Sequence, residues 1–305
     1  MKIFRLYAFF VLFLFQTDLK ANSLPNSFTS ILFSVENSLE RSDFIEVLAL
    51  TSPKVLYLNS KNKEALSTAR FALQTRSTVT IVLDDTSNLI SKITLTDDTS
   101  LSNSRKATRR WTPGLYSPSV LSSFHLTTQL FNSVDSYTDS DLSDDCYNRA
   151  HYWARTFEVE NKIKSMKVFV LFTPLYRKEN NFNWWYHVAP YVTIRGAEGE
   201  ERIVLDPSYE QSPQAMRDWV FHFASKANTC RIAKSLYQYQ EEAAEGGCVV
   251  ITASMYHYSP QDLDPENPPV GWRCEDLKAV QKALRAPSPY SNWENYTNFL
   301  PDHCY

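Results

Sequence analysis

The chain has 305 residues, 43% hydrophobic, 14% aromatic and 21% charged, with 6 glycines and a formal net charge of −3; this suffices for a full buried core in one or two domains. The slightly acidic balance, with no basic stripe, argues against nucleic acid as a partner. Phosphate-loop, HExxH, CxxC and GxSxG patterns are absent, so the chemistries those motifs serve have no foothold here.

The first elements read as an export signal followed by a small domain. Lys2 and Arg5 precede the apolar stretch 6–15, which is too short to span a bilayer, and Ala21 offers a small residue for cleavage. Residues 1–21 are therefore expected to be a signal peptide, with a membrane anchor as the alternative; the mature chain is expected to be secreted or periplasmic, without stable membrane association. Residues 27–50 and 61–75 read as helices, and 54–58, 77–83 and 90–95 as strands. This predicts a small α+β N-terminal domain over 22–105. The Ser/Thr-rich stretch 96–123, with Arg105-Lys106 and Arg109-Arg110, reads as an exposed linker open to proteolysis.

Chemistry enters at Cys146. Ser143 as N-cap makes Asp144, Asp145 and Cys146 the first helical positions, and Cys146, Ala150, Trp153, Ala154 and Phe157 share an apolar face. A helix N-terminus favours thiolate, while Asp144 and Asp145 oppose it, so an imidazole must supply most of the activation. Residues 184–195 alternate as a strand, with His187, Ala189, Tyr191 and Thr193 on one face, and 200–206 form the next strand across the turn 196–199. Symmetric closure pairs 195 with 200 and 189 with 206, which puts Asp206 diagonal to His187 on the same face. Cys146, His187 and Asp206 thus read as nucleophile, acid–base imidazole and orienting carboxylate. Trp184, Trp185 and Tyr186 are candidates to line a substrate cleft, with core positions as the plainer alternative.

Beyond the hairpin, a helix is expected from Ser212-Pro213 to about 225, another over 230–240, a strand over 248–254 and a helix over 275–285. The predicted class is α+β, an antiparallel sheet packed against the Cys-bearing helix. Cys230, Cys248, Cys274 and Cys304 can form two disulfides in any of three connectivities, leaving Cys146 as a thiol. The Asp-rich run 135–145 lacks the glycine and terminal glutamate of a calcium loop, and His125, His151, His222, His257 and His303 show no ligand spacing. No metal or cofactor is expected.

Three blocks, Asp145-Cys146-Tyr147-x-Arg149-Ala150-His151, Trp-x-Tyr186-His187-Val188-Ala189, and Arg202-Ile203 followed by Asp206-Pro207-Ser208, resemble the bacterial protein-glutaminases. Roughly residues 110–305 share in the likeness. It implies a papain- and transglutaminase-like catalytic domain over 106–305 and a pro-region over 22–105, with a permanently attached accessory domain as the alternative. It further implies an exported cysteine amidohydrolase that turns glutamine side chains of protein substrates into glutamate through a Cys146 thioester, acting as a monomer. The alternatives are transglutaminase-type acyl transfer and a catalytically inactive binding or inhibitor protein. Two departures stand out: Asp145 occupies the place where glycine is expected before the nucleophile, and Pro190 should bulge the His strand or leave it unpaired on one side.

Overall fold

The computed structural model describes residues 27–84, 88–96, 116–134, 146–196, 199–223, 230–239, 247–264, 269, 271–285, 300 and 304. The expected signal peptide, the basic pairs of the linker, the Asp-rich run and the Ser143 cap lie outside these residues.

Alternation governs the N-terminal unit. Strands β1 (Ser27–Asn37), β2 (Phe44–Ala49), β3 (Val55–Asn59), β4 (Thr78–Leu83) and β5 (Leu89–Leu95) close a barrel in the order β1-β2-β3-β5-β4, antiparallel except between β3 and β5. Helix α1 (Lys63–Thr75) joins β3 to β4, capped by Asn62, whose side chain accepts from the Ala65 N–H, and ended by Arg76 in the left-handed conformation at φ 52°. The expected strands and second helix are found, but the helix expected over 27–50 is not: β1, a turn and β2 occupy that stretch. Leu32 on β1, and Ile45, Val47 and Ala49 on β2, point into the barrel. That spacing of two is the strand period, and it outweighs the helix propensity of single residues.

The second unit is a seven-stranded sheet. Its path runs β10 (Gln214–Ala215), β9 (Gly199–Val204), β8 (Tyr186–Gly196), β7 (Met166–Phe172), β12 (Cys248–Ser254) and β11 (Arg231–Ile232), with β6 (Val120–Leu121) added in parallel beside the end of β8. The chain is therefore of mixed α+β class. Helix α2 (Phe124–Val134) precedes α3 (Cys146–Asn161), which packs across β8. Helix α4 (Pro174–Asn180) links β7 to β8, α5 (Met216–Phe223) follows β10, and α6 (Cys274–Arg285) lies against α3. The helix expected from residue 213 starts only at Met216, after the short strand β10, and residues 231–232 of the helix expected over 230–240 are the strand β11 instead. β11 is tied to the sheet by the Cys230–Cys248 disulfide, a constraint no propensity reports. A second disulfide joins Cys274 to Cys304.

Pro190 does not bulge its strand. The β7–β8 register runs unbroken from Met166↔Tyr191 through Lys167↔Pro190 to Leu171↔Tyr186. The Pro190 carbonyl accepts from Leu205 N–H at 2.9 Å, so its missing donor faces the β9 side, where paired residues begin only at Tyr191↔Val204.

The two units meet along the outer face of the barrel. On β2 and β3 the residues alternate with the barrel core: Leu48, Val55 and Tyr57 belong to a hydrophobic cluster that also contains Cys146, Ala150, Phe169, Trp185 and Tyr186. Extended backbone adds to this contact, with Val55 N–H donating to the Asn183 carbonyl at 2.9 Å and Trp185 N–H to the Pro53 carbonyl at 2.8 Å.

Candidate active site

Cys146 begins α3 and is 1% exposed. Its helix is buried along two sides, because Cys146 and Ala150 face the cluster shared with the barrel, while Trp153 and Phe157 enter a second cluster with α2, α6 and the β8–β9 hairpin. The single apolar face read from the sequence is therefore divided between two cores.

His187 stands near the start of β8, and its ring lies against Trp219 and Phe223, on the other face of the strand from Tyr186 and Val188 of the Cys146 cluster. The hairpin closes with Arg195↔Glu200 and Tyr191↔Val204 as expected, and the chain leaves β9 through Leu205 to bring Asp206 under the imidazole. His187 Nε2 and Asp206 Oδ2 are 2.8 Å apart, and both side chains are 1% exposed. The carboxylate can only accept, so Nε2 carries a proton and Nδ1 is the nitrogen left to exchange one. Nδ1 is buried and has no hydrogen-bond partner among the described residues.

Two residues that sequence reasoning did not single out complete the surroundings. Trp219 of α5 donates its indole N–H to the same Asp206 Oδ2 at 3.1 Å, and its ring lies 5.8 Å from that of His187. Tyr209, half-exposed, places its ring 4.6 Å from the imidazole. Burial pushes its phenol up, and the negative charges of Cys146 and Asp206 push it further. Tyr209 thus stands against His187 and within electrostatic reach of Cys146 and Asp206. Tyr209 lies three residues after Asp206, where the Asp206 carbonyl accepts from the N–H groups of Tyr209 and Glu210 in a turn; the Asp-Pro-Ser block carried that signal, whereas Trp219 is brought in by a helix with no sequence link to the site.

Of the proposed cleft aromatics, Trp185 and Tyr186 are fully buried, and Trp184 is partly exposed with its ring 6.1 Å from that of His187. Trp185 is buried in part by the barrel: Phe33 stacks on it at 5.2 Å, and its indole N–H donates to the Ser52 carbonyl at 2.7 Å.

The back of the cysteine helix is held by a buried polar group. Lys167 of β7, with no exposed surface, sets its ammonium 2.8 Å from His151 Nδ1 and 2.6 Å from the His257 carbonyl. Burial lowers it to about 7, with the carboxylates of Asp262 and Asp276 opposing that shift. Burial likewise holds His151 well below the usual imidazole range and His257 at about 4. Both are neutral structural histidines at pH 7, and among the described residues no group of histidines, cysteines and carboxylates is arranged to hold a metal.

A buried thiol, a carboxylate-tethered imidazole and two flanking aromatics thus stand on one α+β frame. Residues 125–223 match a protein-family model described as glutaminase. Among solved structures the chain is similar to pro-protein-glutaminase, with a TM-score of 0.58 and 18% identity over 86% of this chain and 94% of that one. A mutant of pro-protein-glutaminase gives a TM-score of 0.57 and 19% identity, over 86% and 95%. No curated protein sequence matches the chain.

Proposed function

We propose that this chain is the latent form of an exported deamidase that converts glutamine side chains of proteins to glutamate. The Cys146 thiolate attacks the γ-carboxamide carbon, and His187, protonated at Nδ1, gives that proton to the departing amine, so that the C–N bond breaks and ammonia leaves. Water then adds to the thioester with His187 as base, freeing the thiol and a glutamate side chain. Asp206 fixes the tautomer and steadies the imidazolium, and the Cys146 backbone N–H at the start of α3 supplies one donor to the oxyanion. The catalytic unit, residues 106–305, is read as a papain- and transglutaminase-like core.

The observation that carries this reading is the fully buried His187–Asp206 hydrogen bond, which leaves Nδ1 without a hydrogen-bond partner among the described residues, in a ring 4.6 Å from that of Tyr209, itself within electrostatic reach of Cys146. A carboxylate and an imidazole with an unpartnered nitrogen are costly to bury for stability alone. The 1% exposure of Cys146 beneath the barrel supports reading residues 22–105 as a pro-region rather than an accessory domain. Export through a signal peptide at 1–21 is supported by the two disulfides, and no helix among the described residues is long and apolar enough to cross a membrane. The test is ammonia release from a glutamine-rich protein by the proteolytically activated chain beside its Cys146→Ala variant. Release without crosslinks, lost in the variant, is expected; crosslinking to lysine would mark a transglutaminase, and no reaction at all would favour an inactive binding protein.

A further inference from the structure

The cysteine mechanism leaves several buried charges unused, among them Arg177. Arg177 of α4 is 3% exposed; its Nη1 donates to the Phe172 carbonyl at 2.8 Å and its Nη2 lies 2.6 Å from Glu46 Oε2. Glu46 belongs to the barrel, on the outer face of β2, and its other oxygen accepts from Ser38 Oγ at 2.9 Å. Beside this pair, Phe33 of the barrel lies against Trp185 and Tyr239, with ring centroids 5.2 and 5.3 Å apart. The catalytic unit thus presents a guanidinium, an aromatic floor and the two N–H donors of Trp185, and the barrel fills all three.

A surface that needed only to be covered would not require a guanidinium, because a buried arginine is tolerated only when paired and is strongly destabilising when its partner is removed. Loss of the barrel takes Glu46 away and leaves Arg177 fastened to Phe172, aimed into the space vacated. Phe172 N–H donates to the Trp185 carbonyl, so Arg177, held to Phe172, lies beside the start of β8, and Trp185 precedes His187 by two strand positions, about 7 Å along the chain. An extended segment with its glutamine at Cys146 can therefore set a neighbouring side chain on the guanidinium.

We propose that Arg177 is a carboxylate subsite, which binds an aspartate or glutamate of the protein substrate a few residues from the target glutamine, in the place that Glu46 fills in the intact chain. The proposal rests on the latent-deamidase reading above. A guanidinium holds a carboxylate by paired, charge-assisted hydrogen bonds, so a side-chain amide in the same position is a poor substitute.

The first measurement compares kcat/KM of the protein, activated by digestion of residues 22–105, on two glutamine peptides that differ by one flanking residue, aspartate or asparagine. The aspartate peptide should be favoured about tenfold. In Arg177→Gln the ratio should fall to near one, and in Arg177→Lys to an intermediate value. A wild-type ratio near one, or one that survives in Arg177→Gln, overturns the subsite. The second measurement uses the uncut chain and does not depend on turnover. Glu46→Ala leaves the guanidinium buried without its carboxylate, so acetate should raise its Tm while chloride at the same concentration does not. A Tm indifferent to acetate overturns the proposal even where Arg177→Gln fails to fold. Absence of ammonia from both peptides, together with a Tm that rises in acetate, refutes the deamidase reading and with it the substrate role of Arg177, leaving only a guanidinium that binds carboxylate.

Discussion

At the scale of residues, the account turns on Asp206 and what it does for one imidazole. Asp206→Asn keeps the shape but can present a donor to Nε2, which favours the wrong tautomer, so kcat should fall by about 10³-fold or more while the fold persists. Trp219→Phe removes only the indole N–H that reaches Asp206 Oδ2; a loss of about tenfold in kcat is expected from one hydrogen bond to a carboxylate. Kinetics of the two variants, with melting curves beside them, check both, and unchanged rates would mean that the carboxylate does not orient His187. The contact between His187 and Asp206 was legible in the sequence because a tight hairpin turns residue count into register, and the register fixes the face. Tyr209 and Trp219 were less legible. Trp219 reaches the site from α5, and packing of a helix against a sheet leaves no fixed spacing in the sequence.

At the scale of elements, the two disulfides and the buried polar group behind α3 make separate demands. Cys274–Cys304 closes a loop across 30 residues and ties the chain end to the start of α6. Replacing both with serine should cost about 3–4 kcal/mol by loop-closure entropy, read by urea unfolding of the variant against the native chain; a change below about 1 kcal/mol would show that the reduced chain already holds its ends together.

The loop after β12 predicts a response to pH. His257 is ordinarily half-protonated near 6.5, but burial brings it to about 4, with Lys167 adding to the shift and Asp262 opposing it. Its ring is also held by Ser254, the Nδ1 position lying 3.0 Å from the hydroxyl. The unfolded chain therefore binds a proton on His257 between about 6.5 and 4 that the folded chain refuses, and stability falls as pH drops through that window. The buried, raised carboxyl of Asp276 acts in the opposite sense, and His151 in the same sense as His257. His257→Gln should lose about 2 kcal/mol less stability than the native chain between pH 7 and 4.5. Equal losses in urea titrations at the two pH values would contradict the neutral, buried state of this ring. The sequence supplied the strand and helix of this region but not Lys167 as its centre, because a lysine in a strand ordinarily reads as solvent-facing. The misread stretch 27–50 failed for a related reason: β2 is buried on both faces, one in the barrel and one against the catalytic unit, which blurs the alternation that marks a strand.

At the scale of the whole molecule, the junction between the barrel and the second unit is not a polar, easily released contact. Phe33, Leu48, Val55 and Tyr57 join one hydrophobic cluster with Cys146 and Trp185, and the charged pair Arg177–Glu46 is buried beside them. Cutting the linker alone leaves such a contact intact, because its apolar area, once buried, holds the halves together without the tether. Activation should accordingly follow digestion of the barrel rather than a single cut, a distinction the sequence could not supply, since nothing in residues 27–59 signals which face they cover.

The most direct test follows ammonia release from a glutamine-rich protein by one preparation in three states: intact, cut once between Arg105 and Trp111, and digested until residues 22–105 are gone. The account predicts almost no release from the intact chain, little from the cut complex, and full release after digestion, all of it abolished in Cys146→Ala. Equal rates in the three states, or release that survives in Cys146→Ala, would contradict it.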